Sequence, residues 1–285
     1  MMSIFSAGPL DLLVDFIERH RHLCVLTGAG ISTDSGIPDY RDANGNWKRQ
    51  EPMRYQEFIR SEHSRRRYWA RSLLGWPTFA RAQPNLAHAA LARLEAAGFV
   101  HQIITQNVDG LHQQAGSRQV IDLHGRLDTV VCLECPYRGA REAFQVALAE
   151  NNLAFTGLVA ALGPDGDADL DDVDDGSFRV PNCPACGGLL KPAVVFFGEA
   201  VPKSRVEQAC RRLAEADALL VIGSSLAVFS GYRFCALAVA HHQPIAVINL
   251  GRTRADNELA LKVSLPCGPT LNSLVERLAL CAHEP

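Results

Sequence analysis

The chain has 285 residues, 47% of them hydrophobic, which suffices for one large domain or a domain with a small inserted module. Its 28 basic and 31 acidic side chains leave a formal charge of -3, so no strong positive field favours nucleic acid or an anionic membrane. No apolar run reaches the roughly 18 to 20 residues of a bilayer span, and no charged segment precedes the first apolar residues, so a cytoplasmic protein without a secretory leader is expected.

Leu10, Leu13, Val14 and Ile17 recur at helical spacing and predict an amphipathic helix. Leu23–Thr27 is a short apolar run closed by Gly28, the pattern of a buried strand. Asp42–Gln83 is rich in Arg, Trp and Tyr and predicts a helical insertion, with Arg60, Arg65, Arg66 and Arg67 read as a solvated helix face. Asn85 can cap a helix running to Gly98, and Phe99–Thr105 predicts the next strand. Asp128–Lys191 interrupts the alternation and contains an acidic run from Asp165 to Asp175, read as a solvated loop or a selectivity element. Strands follow at Ala193–Phe197, Ala218–Ile222 and Pro244–Asn249, separated by helical patterns at about 202–216 and 229–241. Alternating strands and helices imply parallel pairing, hence a doubly wound, Rossmann-like α/β fold with two insertions.

The nine cysteines are odd in number, which argues against a fully paired disulfide framework. Four of them form two C-x-x-C pairs, Cys132 with Cys135 and Cys183 with Cys186. Two such turns can aim four thiolates at one ion, which suits a structural Zn²⁺, because a closed shell leaves no position for a reactive water. Two unrelated redox or buried pairs is the competing reading. Cys24, Cys210, Cys235, Cys267 and Cys281 are scattered and read as small apolar side chains.

Gly28-Ala29-Gly30 follows the first predicted strand and leads to Ser32 and Thr33. Glycines there let backbone N–H groups approach a phosphate, although a plain tight turn has the same look. Thr33 stands where a dinucleotide fingerprint has its third glycine, and no acidic residue closes a strand about 20 residues on. Continued through Ile37, Asp39, Tyr40 and Arg41, however, the segment resembles the cofactor-binding loop of the sirtuins. Thr105-Gln106-Asn107-Val108-Asp109-Gly110-Leu111-His112 is similar to that family's nicotinamide-pocket motif, and Leu123-His124-Gly125 to its catalytic histidine motif. Lys191–Glu199 resembles its substrate segment, while Gly223-Ser224-Ser225 and Asn249 resemble its late ribose and phosphate positions. The resemblance spans about residues 10 to 280. Tyr40-Arg41, the Tyr68–Arg71 and Gly75–Pro77 segments and Ser230–Arg233 look closest to the class II branch, which includes the mitochondrial lipoamidase-like sirtuins.

The resemblance implies one catalytic domain over 1–285. Its Rossmann-like part would comprise about 8–41, 84–127 and 192–285, with a helical insertion at 42–83 and a zinc module at 128–191. It implies NAD⁺ as co-substrate, structural Zn²⁺, acyl-lysine peptides as partners and a monomer. The acyl oxygen would attack the ribose carbon bearing nicotinamide, with His124 as general base and Asn107 and Asp109 around the reacting end. An imidazole suits the base because it titrates near neutral pH. Gly28, Ala29, Gly30, Thr33, Ile37, Asp39, Tyr40, Arg41, Gln106, Gly223, Ser224, Ser225, Asn249, Cys267 and Gly268 would complete the dinucleotide site. Val194, Val195, Phe196, Phe197, Gly198 and Glu199 would hold the peptide as an added strand, serve as a core strand, or do both. Tyr68 and Arg71 face one side of a predicted helix. They read as a pair selecting polar acyl ends or as an ordinary surface pair. Protein ADP-ribosyl transfer and a non-catalytic NAD or peptide sensor are the rival functions.

Overall fold

The computed structural model describes residues 8–48, 51–158, 163–164, 166 and 176–279. Most of the acidic run, including Asp165, and Cys281 lie outside these residues. Helix α1 (Pro9–Arg19) buries Leu13, Phe16 and Ile17 and leads to strand β1 (Leu23–Thr27), whose five residues are all buried. Helices α2 (Tyr55–Arg60) and α3 (Glu62–Phe79) come next. Ser61 caps α3 by accepting the Ser64 N–H. Arg65 does not belong to a solvated face: its guanidinium donates to the Phe58 and Ile59 carbonyls and satisfies the exposed end of α2.

Asn85 caps α4 (Leu86–Ala96), which is followed by β2 (Val100–Thr105), α5 (Leu111–Gln114) and β3 (Val120–Asp122). After α7 (Lys203–Ala214) come β7 (Ala218–Ile222), α8 (Phe229–Ala240), β8 (Ile245–Ile248), β9 (Leu261–Val263) and α9 (Cys267–Arg277). The six strands β3-β2-β1-β7-β8-β9 form one sheet in that order, every pair parallel. This is the dinucleotide-fold order, with its reversal of direction between β1 and β7. Side chains alternate across the sheet. Leu23 and Val25 pack with α1, α4 and α9 on one face, while Cys24 and Leu26 pack with α7 and α8 on the other.

A second, antiparallel sheet joins β4 (Gly125–Cys132), β5 (Arg138–Ala140) and β6 (Leu190–Val194) in the order β5-β4-β6, with α6 (Arg141–Asn151) beside it. The strand expected at Ala193–Phe197 is therefore corrected. It lies three residues earlier and belongs to the small sheet, not to the parallel one. An apolar run marks a buried strand without naming its partner. The small sheet and α3 share a core of Tyr68, Trp69, Trp76, Phe144, Leu148, Phe178 and Phe196. No helix among the described residues is long and apolar enough to cross a membrane.

Candidate active site

A cavity of about 900 Å³ opens where the β1 and β7 loops diverge, the usual ligand position in such a sheet. Two glycines bring these loops together. A Cβ on Gly28 would stand 2.7 Å from Ser224 Cβ, and one on Gly30 would stand 2.9 Å from the Gly223 carbonyl oxygen. The Gly28 and Gly30 N–H groups donate to the Ile222 and Gly223 carbonyls at 3.1 and 2.8 Å. In this state both glycines therefore serve loop-on-loop packing. Ala29, Thr33, Ile37 and Asp39 line the same cavity.

Beyond β2 the chain aims Gln106, Asn107 and Asp109 inward. Gln106 Nε2 donates to Ser224 Oγ at 2.8 Å. Asn107 Nδ2 donates to Gly28 O at 3.2 Å and to Ser32 Oγ at 3.0 Å, and Ser32 Oγ donates to Asp109 Oδ2 at 2.7 Å. Amide, hydroxyl and carboxylate thus form one network against the turn after β1. Asp109 Oδ1 is taken by the Leu111 N–H at 2.9 Å.

His124 stands in the turn immediately before β4 and also lines the cavity. Its Nδ1 is 2.8 Å from the Gln106 carbonyl oxygen, and its Nε2 is 2.8 Å from Ser230 Oγ. A carbonyl only accepts, so Nδ1 carries the proton and Nε2 presents its lone pair. Burial pushes the imidazole down to about 4, with Arg205 and Arg233 adding to the effect and the Gln106 carbonyl opposing it. The ring is neutral at physiological pH and can accept a proton at Nε2.

Arg41 stacks over Trp47, 3.8 Å from ring centre to guanidinium carbon, and donates to Gly45 O at 2.7 Å. Tyr40 meets Trp47 and Phe197 edge to face. Asp39 pairs with Lys48. At the far end Ser225 and Asn249 line the cavity, with Asn249 Nδ2 bonded to Gly251 O at 3.0 Å. Cys267 lines it too, with its thiol pushed up to about 11 by burial. Gly268 is not among the lining residues, although a Cβ there would stand 3.0 Å from Asp34 Oδ2.

Val194 to Glu199 all line the cavity. The Val195 N–H donates to the His124 carbonyl at 2.7 Å, and the Phe197 carbonyl accepts from Tyr55 N at 2.9 Å. Glu199 Oε2 accepts from Phe196 N at 2.9 Å and from the buried Lys191 Nζ at 3.0 Å, which pins the segment. Tyr68 lines the cavity beside Phe79, Leu127 and Phe196; Arg71, half-buried on the same helix, is not a lining residue.

The four paired cysteines converge away from this cavity, with all sulfurs within 4.8 Å of one another. Cys132 Sγ is 3.5 Å from Cys186 Sγ, and Cys135 Sγ is 3.7 Å from Cys183 Sγ. A tetrahedron with Zn–S bonds of about 2.3 Å has edges of about 3.8 Å. Two of the sulfur pairs already lie near that edge, so the cluster fits a zinc ion.

Residues 28–230 match the Sir2 family. The chain belongs to the Sir2 family. It is 60% identical over 270 residues to an NAD-dependent protein deacetylase of Xanthomonas axonopodis pv. citri, covering 95% of this chain and 92% of that one. It is 57% identical to NAD-dependent protein deacetylase 2 of Bradyrhizobium diazoefficiens, covering 95% and 100%. Among solved structures, Sir2 with p53 peptide and NAD⁺ superposes with a TM-score of 0.78 at 29% identity, covering 96% and 100%. A Sir2 histidine variant with deacetylated p53 peptide and 3′-O-acetyl ADP-ribose gives 0.76 at 30%, covering 95% and 98%.

In this sirtuin Ser32 and Ser230 also bond to Asp109 and His124, which nothing in the sequence signals. Both bond to residues more than 70 positions away, and no spacing rule finds such a partner.

Proposed function

We propose that this protein removes acyl groups from protein lysine at the expense of NAD⁺, giving nicotinamide and O-acyl-ADP-ribose. The observation that carries the reading is a neutral imidazole in the same cavity as the glycine turn and the Asn107–Asp109 network. The 55–60% identity to bacterial NAD-dependent protein deacetylases supports it.

The nicotinamide end of the dinucleotide enters between Ile37, Asn107 and Asp109, and its phosphates lie along the 28–33 turn and Ser224–Ser225. The acyl-lysine enters along Val194–Glu199. Its acyl oxygen attacks the ribose carbon and the bond to nicotinamide breaks. His124 Nε2 then takes the proton of a ribose hydroxyl, which becomes the nucleophile that captures the acyl carbon. Water releases the lysine amine, and the acyl group stays on the ribose. Tyr40 closes the face that nicotinamide vacates. Cys132, Cys135, Cys183 and Cys186 hold zinc, which braces the small sheet and leaves no open position for chemistry.

Acyl selectivity belongs to the wall around Tyr68. Phe79, Leu127 and Phe196 on that wall suit an apolar chain, and Arg71, on the same helix but outside the lining, would read a polar end beside Tyr68 only by turning into the cavity. The class II affinity of these segments is part of the same proposal.

The test is a panel of acetyl, succinyl, glutaryl and lipoyl peptides incubated with NAD⁺, with products weighed by mass spectrometry. O-acyl-ADP-ribose is expected, and turnover should fall at least about 100-fold in His124→Ala. ADP-ribosylated protein in place of that product, or full turnover by His124→Ala, would overturn the reading. On the same panel, unchanged selectivity in Arg71→Met removes Arg71 from the site.

A further inference from the structure

Two histidines that the reaction does not touch lie buried behind the cofactor turn. His88 on α4 and His112 on α5 are 0% and 1% exposed, with ring centres 4.9 Å apart in an edge-on contact. Packing alone gives no reason for imidazoles here, because a phenyl ring of similar size avoids burying ring nitrogens. Burial keeps both rings uncharged, pushing His88 down to about 4 and His112 to about 3.

A neutral imidazole has one N–H and one lone pair, and the neighbours fix which is which. The Asn85 backbone N–H donates to His88 Nδ1 at 3.3 Å, so His88 carries its proton on Nε2. Thr27 Oγ1 donates to Thr105 Oγ1 at 2.9 Å and lies 2.9 Å from His112 Nε2. Its own proton being used, Thr27 accepts from His112, which therefore carries its proton on Nε2 and offers Nδ1 as an acceptor. The ring atoms left without a partner are His88 Nε2 and His112 Nδ1, one donor and one acceptor on facing rings.

Each ring anchors an arm of hydrogen bonds that reaches the site. Asn85 Nδ2 donates to Ile31 O at 2.8 Å and Ser35 Oγ at 3.0 Å, within the turn after β1. At the other end Thr105 Oγ1 accepts the Asn107 N–H at 3.1 Å, and Asn107 holds Gly28 and Ser32. The Asp109 carboxylate is close enough to act on His88 through its charge.

We propose that His88 and His112, packed edge-on with no hydrogen bond between them, form a buried relay in which each ring anchors one hydrogen-bonded arm, and that the two arms together hold the 28–35 turn and Asn107 and so position the pocket for the nicotinamide end of NAD⁺. This rests on the reading of that pocket given above. The two histidines are positioning residues. They never meet the substrate, and their effect is confined to the dinucleotide side of the cavity.

The experiment is steady-state kinetics with NAD⁺ and acyl peptide varied separately. In His112→Phe the KM for NAD⁺ should rise about tenfold, and inhibition by nicotinamide should weaken by a similar factor. The peptide KM should stay within about twofold. His112→Gln, which can still offer an N–H to Thr27, should recover most of the NAD⁺ affinity. Thr27→Val keeps the volume, removes the hydroxyl and should reproduce the His112→Phe pattern, so the test stands if the phenylalanine variant fails to fold. A lowered melting temperature with unchanged NAD⁺ KM and nicotinamide inhibition, or equal shifts in both KM values, would overturn the relay. Absence of NAD⁺-dependent turnover in the unmodified protein would overturn the functional reading instead.

Discussion

As the proposed general base, His124 combines two demands that pull against each other. A general base must be neutral before it acts, and burial secures this by pushing the ring down to about 4. The same burial weakens it as a base. Gln106, which orients Nδ1, also bonds Ser224 through its side chain, so one residue ties the base to the β7 loop. The sign of the pH effect follows. Lowering the pKa of the free enzyme's base moves the acid limb of kcat/KM to lower pH. The limb should therefore fall below the ordinary histidine value of about 6.5, toward 4. Measuring kcat/KM from pH 4.5 to 8 checks this, and a limb at 6.5 or above would contradict it.

At the scale of elements, Gly125 shows why the histidine motif ends in glycine. Its φ is +82°, and a Cβ there would stand 2.0 Å from the Ala193 carbonyl oxygen, across the β4–β6 pair. The same pair carries the Val195 N–H to His124 O bond, so spreading it moves the base. Gly125→Ala should cost about 3 kcal/mol or more and lower turnover severely with the imidazole intact. Denaturant unfolding and kcat measured on one preparation test both halves. Such an element was only partly legible. Leu23–Thr27 and Ala218–Ile222 stand where their apolar runs put them, because a continuous apolar run is what a strand buried on both faces requires. The three-residue edge strands β3 and β9 were missed, being too short to show a period. Helix α9 was missed as well: it opens at Cys267 directly after Pro266, with no side-chain cap to announce it. The glycine turn, Asn107, Asp109 and His124 were recognisable from linear motifs. The His88–His112 contact was not, since it pairs α4 with α5 and only the fold brings them together.

For the whole molecule, two kinds of stabilisation depend on solution conditions, and they can be separated. Four thiolates join the β4 hairpin to the 183–186 turn, about 50 residues away along the chain. Stripping zinc with a chelator at pH 7.5 should destabilise the small sheet first, seen as loss of Trp69 and Trp76 fluorescence signature before loss of the parallel sheet. Melting in one step at an unchanged temperature after metal removal would refute this. Acid acts elsewhere. His88, His112 and His124 stand at about 4, 3 and 4 when folded, against an ordinary value of about 6.5 when unfolded. Between these limits the unfolded chain binds more protons than the folded one, so stability falls as the pH drops. Each group contributes up to about 1.4 kcal/mol per pH unit within its window. Asp122 works in the opposite direction, because burial raises its carboxyl, but it is one group against three. Unfolding free energy should therefore be nearly level from pH 8 to 7 and decline steeply from about 6 toward 4. Urea titrations at each pH on the zinc-loaded protein measure the slope. A free energy that stayed level down to pH 4.5 would mean that the buried imidazoles protonate without unfolding the chain, and the neutral relay behind the cofactor turn would lose its physical basis.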